Sequence, residues 1–164
     1  MSGHKIYARH SGVKKEDRLS IPLIKRCVSS VLCIEGVGLP CEVSVLITDD
    51  HIIRGINLEF RGIDKATDVL SFPMVEFSPA GWADPGDLAT DPDSGLFPLG
   101  EIVISAQRVA EQAHEYSHTL DRETAYLTVH SVLHLLGYDH EDDPAAKRLM
   151  RNREKIIMMA LGLK

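Results

Sequence analysis

Residues 99–136, LGEIVISAQRVAEQAHEYSHTLDRETAYLTVHSVLHLL, decide the fold, because one strand pattern there leads into two consecutive helical patterns. Leu99–Ser105 is a short run rich in β-branched residues, which predicts a strand. In 106–118 and again in 120–136, apolar residues recur every three to four positions, which predicts two helices. A strand followed by consecutive helices is typical of an α+β domain with a small sheet.

The rest of the chain adds three strand patterns and three helical patterns. Strands are predicted at 6–8, 42–48 and 67–72. Helices are predicted from 21 to about 34 after the N-cap Ser20, from about 50 to Phe60, and from Pro144 towards Leu161. Residues 77–98 are rich in Pro, Gly and Asp and are predicted to form a surface loop. We therefore expect a single α+β domain over residues 1–164, in which helices pack on a mixed four-stranded sheet.

The composition excludes several classes of protein. The 164 residues are 44% hydrophobic and 26% charged, which excludes a disordered chain and suits one domain with a single core. No apolar run approaches the ~18–20 residues of a membrane span, and the first residues lack the apolar stretch of a secretory signal. Cys27, Cys33 and Cys41 match no zinc or redox spacing and are expected to be thiols in a reducing compartment. We therefore expect a cytoplasmic protein.

The formal charge of −6 argues at first against a nucleic-acid partner, because phosphate contacts need clustered Lys and Arg. The charge is unevenly distributed, however. Residues 1–26 hold seven Lys and Arg against two acidic residues, and residues 147–155 hold a second basic cluster. Any contact with a nucleic acid is therefore expected to involve the basic N-terminal segment, the C-terminal helix or both.

The strongest chemical signal lies in residues 130–140, HSVLHLLGYDH. His130 and His134 are four residues apart, so on a helix their imidazoles lie on one face. Gly137 tolerates a positive φ, which lets the helix end and the chain turn back. His140 then supplies a third nitrogen, and three His ligands with an open fourth position are typical of a catalytic zinc. The sequence thus predicts a zinc site on a C-terminal helix and the turn that follows it.

Two features keep a zinc metallopeptidase open as an alternative. Residues 114–118, HEYSH, match the zinc-protease motif H-E-x-x-H, whose Glu is the general base, although their polar surroundings are typical of a solvated helix end. The spacing of His130, His134 and His140 equals that of metzincin proteases, but Ser131 stands where their catalytic Glu belongs. Because a serine does not provide that carboxylate base, peptide hydrolysis is disfavoured.

Four blocks of the sequence resemble the YbeY family of endoribonucleases, which are rRNA maturation factors. HSVLHLLGYDH at 130–140 is similar to the family's H-G-x-L-H-L-x-G-Y-D-H. TDVLSFP at 67–73, LGEIVIS at 99–105 and NLEFR at 57–61 resemble the other three blocks, and all four stand in the family's order. The resemblance covers roughly residues 42–155.

The resemblance implies a zinc-dependent, single-strand-specific endoribonuclease that acts in rRNA processing near the 16S rRNA 3′ end and in ribosome quality control. It implies that His130, His134 and His140 bind one zinc ion. It also implies that His130, His134 and Arg61 carry the reaction, with Arg61 facing the scissile phosphate. The implied partners are single-stranded RNA, the small ribosomal subunit and assembly factors such as the GTPase Era.

The sequence departs from the family pattern at three places. Ser131 replaces the usual Gly and is expected either to crowd the helix face or to hydrogen-bond near the metal. Glu101 replaces the usual Asp, and the loop at 77–98 is longer than the family norm. Asp139, beside His140, is expected either to orient a ligand imidazole or to be a plain turn residue.

A non-catalytic ribosome-assembly factor with a structural metal is the second alternative to an endoribonuclease.

Overall fold

The computed structural model describes residues 3–74, 82, 84–85, 90–139 and 143–163. Within these residues the chain forms four strands, five α-helices and a short 3₁₀ helix at Lys15–Asp17. The strands are β1 Lys5–His10, β2 Cys41–Thr48, β3 Val69–Pro73 and β4 Phe97–Ser105. The helices are α1 Ile21–Ile34, α2 Asp50–Arg61, α3 Ala106–Glu115, α4 Leu120–Leu135 and α5 Pro144–Ala160.

These elements follow the predicted order, with differences at their ends. β4 begins at Phe97, two residues earlier than predicted, so its first residues come from the predicted loop at 77–98. Much of the rest of that loop lies outside the described residues. α3 ends at Glu115 rather than near His118, because Ser117 takes a left-handed conformation with φ of 55°.

The strands form one mixed sheet in the order β1–β2–β4–β3. β1 and β2 pair in parallel, as do β2 and β4, and β3 runs antiparallel to β4. The registers align Tyr7, Ser44, Glu101 and Phe72 in one row across the four strands. The described part of the chain therefore contains the mixed four-stranded sheet that the sequence predicts.

The two faces of the sheet bury different residues, because alternate side chains of a strand point in opposite directions. Val45 and Ile104 lie on one face, in the main core that the sheet shares with α1, α4 and α5. Leu46 and Val103 lie on the other face and pack with Ile53 of α2 in a smaller cluster. The sheet thus separates α2 from the helices that bury the main core.

α4 runs through the centre of the main core and contacts α1, α3, α5 and β3. Its buried residues occupy nearly every side of the helix, as is typical of a helix enclosed by neighbours. A Cβ on Gly100 of β4 would lie 2.7 Å from Leu135 Cδ2 and 2.6 Å from the Phe72 carbonyl oxygen. The glycine therefore allows the C-terminal end of α4 to lie close to the sheet.

Short-range hydrogen bonds set where all five α-helices begin. At each start the N-cap side chain accepts a backbone N–H from the first turn, and these N-caps are Ser20, Asp49, Ser105, Thr119 and Asp143. Among the described residues, no helix combines the length and apolar character that crossing a membrane requires.

Candidate metal centre

His130 and His134 lie in the C-terminal half of α4, four residues apart. Their Nε2 atoms are 3.1 Å apart, and the two rings meet edge-on with an interplanar angle of 85°. The side chain of His130 is 21% exposed, so the pair lies below the surface but within reach of solvent. The helix thus brings the two imidazoles together, as their spacing in the sequence indicates.

The other nitrogen of each ring is held by an acceptor. His130 Nδ1 donates to Glu154 Oε2 at 2.6 Å, and this carboxylate belongs to α5 and is 7% exposed. His134 Nδ1 donates to the carbonyl oxygen of Tyr138 at 2.8 Å. Because a carbonyl and a carboxylate only accept, these bonds assign the proton of each neutral ring to Nδ1. Each Nε2 then presents a lone pair, as a metal-binding imidazole does.

This donor pair fits a zinc ion. Two bare lone pairs at 3.1 Å repel each other, so either a proton or a metal cation is needed between the two Nε2 atoms. Zinc binds His nitrogen at about 2.0–2.1 Å, so two ligands of a tetrahedral ion are separated by about 3.3 Å. The observed separation of the Nε2 atoms is close to that value. Burial raises the pKa of the Cys27 and Cys41 thiols to about 12, so neither supplies a thiolate at neutral pH.

An ion pair with a buried carboxylate supports the turn that carries the Tyr138 carbonyl. The Tyr138 hydroxyl donates to Glu35 Oε1 at 2.5 Å, and Arg153 Nη2 of α5 lies 2.6 Å from Glu35 Oε2. The Glu35 side chain is 4% exposed. Burial, and then the bond to Glu35, raise the pKa of Tyr138 to about 12, so the hydroxyl remains a donor at neutral pH. Gly137 precedes it with φ of 105°, the positive φ that the sequence predicts.

A second tyrosine supports Glu154. The ring of Tyr126 stacks on that of His130 with centroids 6.0 Å apart, and its hydroxyl donates to Glu154 Oε1 at 3.5 Å. Burial, and then the Glu154 charge, raise the pKa of Tyr126 to about 12. Tyr126, Glu154 and the Tyr138 carbonyl, which Glu35 supports through the Tyr138 hydroxyl, therefore hold the two imidazoles on the side of their Nδ1 atoms.

The remaining residues predicted around the metal are described only in part. His140, the predicted third ligand, lies outside the described residues. Among the residues that are described, no three His, Cys, Asp or Glu side chains form a group able to hold a metal. Asp139 is exposed in the turn after α4. Ser131 is fully buried, and within the described structure its Oγ has no hydrogen-bond partner.

Arg61 is the last residue of α2 and is exposed. Its Nη2 donates to the Ser71 carbonyl oxygen at 2.7 Å, and its Cζ lies 5.3 Å from the centre of the Phe72 ring. Both partners belong to β3, the last strand in the order of the sheet and one that α4 contacts. The guanidinium is therefore held on the strand that lies between α2 and α4.

The family model described as Endoribonuclease YbeY matches residues 8–162. The chain belongs to the YbeY endoribonuclease family. The Endoribonuclease YbeY of Caldanaerobacter subterraneus subsp. tengcongensis is 46% identical over 142 residues, which cover 87% of each chain. That of Chloroflexus aggregans is 48% identical over 144 residues, which cover 86% of this chain and 87% of the relative. That of Clostridium kluyveri is 43% identical over 154 residues, which cover 88% and 93%.

A solved structure has the same fold as this YbeY family member. The solution structure of a Thermotoga maritima protein superposes on this chain with a TM-score of 0.56 and 24% sequence identity. The match covers 95% of this chain and 91% of the Thermotoga chain. The α+β architecture that the sequence predicts is therefore found both in this chain and in a structure solved in solution.

The second histidine motif of this YbeY family chain is not built as a zinc-protease site. α3 ends at Glu115, and Ser117 has a positive φ, so His114 and His118 do not share one continuous helix. His118 Nδ1 lies 2.8 Å from Arg122 Nη1 and 3.3 Å from a Glu123 oxygen. The helical i, i+4 geometry that the protease motif requires is absent from these described residues.

Sequence reasoning did not find Glu154 and Glu35, the two carboxylates that support the YbeY-family histidines. Glu154 does carry a signal, because it shares the buried face of α5 with Met150, Ile157 and Met158. A carboxylate at such a position needs a hydrogen-bond partner. Glu35 follows α1 directly and gives no comparable signal in the sequence.

Proposed function

We propose that this protein is a zinc-dependent endoribonuclease that cleaves single-stranded RNA during rRNA processing. Membership of the YbeY endoribonuclease family supports an RNA-cleaving hydrolase. The observation that carries the zinc proposal is the convergence of His130 Nε2 and His134 Nε2, with both Nδ1 atoms engaged elsewhere.

His130, His134 and His140 would hold the ion, the first two through Nε2. When bound, zinc supplies a Lewis acid and a water whose pKa is lowered to about 7. Glu154 and the Tyr138 carbonyl keep the two imidazoles in the required tautomer and orientation. Asp139 remains a candidate for the same role towards a ligand ring, and Ser131 for shaping the helix face beside His130.

Arg61 is proposed to bind the scissile phosphate. A guanidinium has five N–H donors and a permanent charge, and the Ser71 carbonyl accepts one of those donors. Because that bond and the Phe72 ring hold the side chain in one place, its charge is positioned before RNA binds. A preorganised cation of this kind stabilises the negative charge that develops on phosphate oxygens in the transition state.

The biological setting of the proposal follows the family resemblance. We propose that the protein acts in the cytoplasm at the 3′ end of 16S rRNA and in ribosome quality control. Its partners would be the small ribosomal subunit and assembly factors such as the GTPase Era. We expect a protein with a net charge of −6 to bind free RNA weakly, so delivery of the substrate by a ribosomal partner is part of the proposal.

Cleavage of a fluorescent single-stranded RNA by the purified protein, with and without a chelator, tests the proposal. We expect cleavage to depend on zinc and to fall by about 10²–10³ in Arg61→Ala, the usual effect of removing a positioned transition-state donor. Arg54→Ala is the matched control, because Arg54 is an exposed arginine of the same helix, paired with Asp64 at 2.8 Å.

Each alternative predicts a different result in the same assay. Full cleavage after metal removal contradicts the zinc mechanism, and full cleavage by Arg61→Ala contradicts the role of Arg61. A metallopeptidase would hydrolyse peptides and lose that activity in Glu115→Gln. A non-catalytic assembly factor would cut no RNA, while His134→Ala would still lower its thermal stability.

A further inference from the structure

Part of the α2 face of the sheet is not covered by α2, because Tyr7 and Glu101 there are exposed and Ser44 and Phe72 are only half-buried. These four residues form one row across the four strands. We call it the open sheet face. Together with Phe60 of α2 it borders a groove of about 620 Å³.

Large aromatic side chains stand exposed at this groove. Tyr7 is 53% exposed, and Phe60 is 66% exposed although a phenylalanine side chain is usually buried. Phe72 is half-buried, and its ring contacts that of Phe60 edge-on, with centroids 5.6 Å apart. Tyr7 on β1 and Phe72 on β3 are three strand spacings apart, or about 14 Å.

Arg61 lies next to the groove. Phe72 lines the groove on one side and lies under the Arg61 guanidinium, whose Cζ is 5.3 Å from the ring centre. A ligand that reaches the proposed phosphate-binding arginine along the outer edge of β3 therefore meets the open sheet face next.

The positive charges lie at the two ends of the groove. Arg9 of β1 and Lys25 of α1 line the groove, and Arg61 lies at the opposite end beyond Phe72. Glu101 and Ser44 stand between the aromatic side chains in the middle of the row. Cations at both ends suit a phosphate backbone, and the central carboxylate and hydroxyl suit the hydrogen-bonding edges of bases.

We propose that the open sheet face binds single-stranded RNA, with bases stacked on Tyr7 and on the Phe60–Phe72 pair. The proposal rests on the proposed function and identifies where that substrate lies away from the reacting phosphate. Exposed aromatics on a four-stranded sheet stack two or three bases in other RNA-binding domains, because every base offers a flat apolar face. A helical protein partner would instead favour a continuous apolar stripe, which Ser44 and Glu101 interrupt.

Binding of a 5′-fluorescein-labelled 12-nucleotide oligouridine tests the proposal, followed by fluorescence anisotropy in zinc-loaded Arg61→Ala protein, which should cut the probe about 10²–10³ times more slowly, with each substitution below added to it. Stacking of one base on an aromatic side chain contributes about 1–3 kcal/mol, so Tyr7→Ala and Phe60→Ala should each weaken binding roughly 5- to 150-fold. Tyr116→Ala is the matched control, because Tyr116 is 56% exposed and lies at the end of α3. Arg9→Ala should lower the slope of log affinity against log salt by about 0.7.

A comparison of substrate lengths separates this proposal from the proposed function. The ratio of kcat/KM for the 12-mer to that for a tetranucleotide should fall in Tyr7→Ala and stay at the parent value in Tyr116→Ala. If the parent protein cuts RNA but Tyr7→Ala and Phe60→Ala bind and cut like Tyr116→Ala, the open sheet face does not bind RNA. If the parent protein neither binds nor cuts RNA, the proposed function fails and this proposal fails with it.

Discussion

The bond between His130 and Glu154 makes a sharp prediction about metal affinity. The donor–acceptor distance is 2.6 Å, and the carboxylate is 7% exposed, so the bond is short and largely shielded from water. Glu154→Gln keeps the shape of the side chain and an oxygen that accepts a hydrogen bond, but it removes the negative charge. We expect this charge to make His130 Nε2 a better metal ligand.

The magnitude follows from the strength of such bonds. A hydrogen bond to a charged group contributes about 1.5–3 kcal/mol, roughly twice the contribution of a neutral one. Losing this difference at a metal-binding His typically lowers metal affinity 10- to 100-fold, or about 1.4–2.7 kcal/mol. Glu154→Ala should lower it further, because the Nδ1–H of His130 then loses its acceptor.

Zinc affinity of the metal-free protein, measured by competition with a chromophoric chelator, checks this prediction. Glu111→Gln is the matched control, because Glu111 is an exposed carboxylate on α3. The Tm of each metal-free form shows whether a variant lowers the stability of the fold by weakening the packing of α5. If Glu154→Gln binds zinc as tightly as Glu111→Gln, Glu154 does not act on the metal site through His130 and the reasoning is refuted.

Three further predictions concern the stability of the fold. Ser131→Ala should raise the free energy of unfolding by about 1 kcal/mol, and Tm by about 2–4 °C in thermal melts, because it removes a buried hydroxyl with no partner in the described structure; an unchanged or lower Tm contradicts this. Gly100→Ala should lower the unfolding free energy in urea by about 1–3 kcal/mol, because its Cβ would lie 2.6 Å from the Phe72 carbonyl oxygen; parent-like stability would show that the sheet yields at this point. Burial lowers the pKa of His4 and His10, whose rings accept backbone N–H bonds. Their neutral form favours the folded state, so the urea midpoint should be highest above pH 6.5 and fall as the pH drops towards 5. A double variant, His4→Gln with His10→Gln, should show a smaller fall, and an equal fall would assign the pH dependence to other groups.

The order of the secondary structure was predictable from the sequence because its causes are local. Helical spacing of apolar residues, N-caps such as Ser20 and Asp49, and the β-branched run of Leu99–Ser105 all act within a few residues. The ends of elements were less predictable. The sequence pattern did not show that Ser117 would stop α3 before His118, or that Phe97 would already pair with Cys41 in the sheet.

The candidate site also combines features with local causes, which the sequence determines, and features that depend on tertiary packing. Because His130 and His134 are one helical turn apart, the sequence alone determined that they share a face, and it determined the turn at Gly137. Only the tertiary structure decided which groups hold them: Glu154 is 24 residues from His130 along the chain, and Glu35 is 103 residues from Tyr138. The reason is physical. A helical repeat depends on neighbours in sequence, whereas the partner of a buried polar atom depends on which helix packs beside it, and the packing of the whole core determines that.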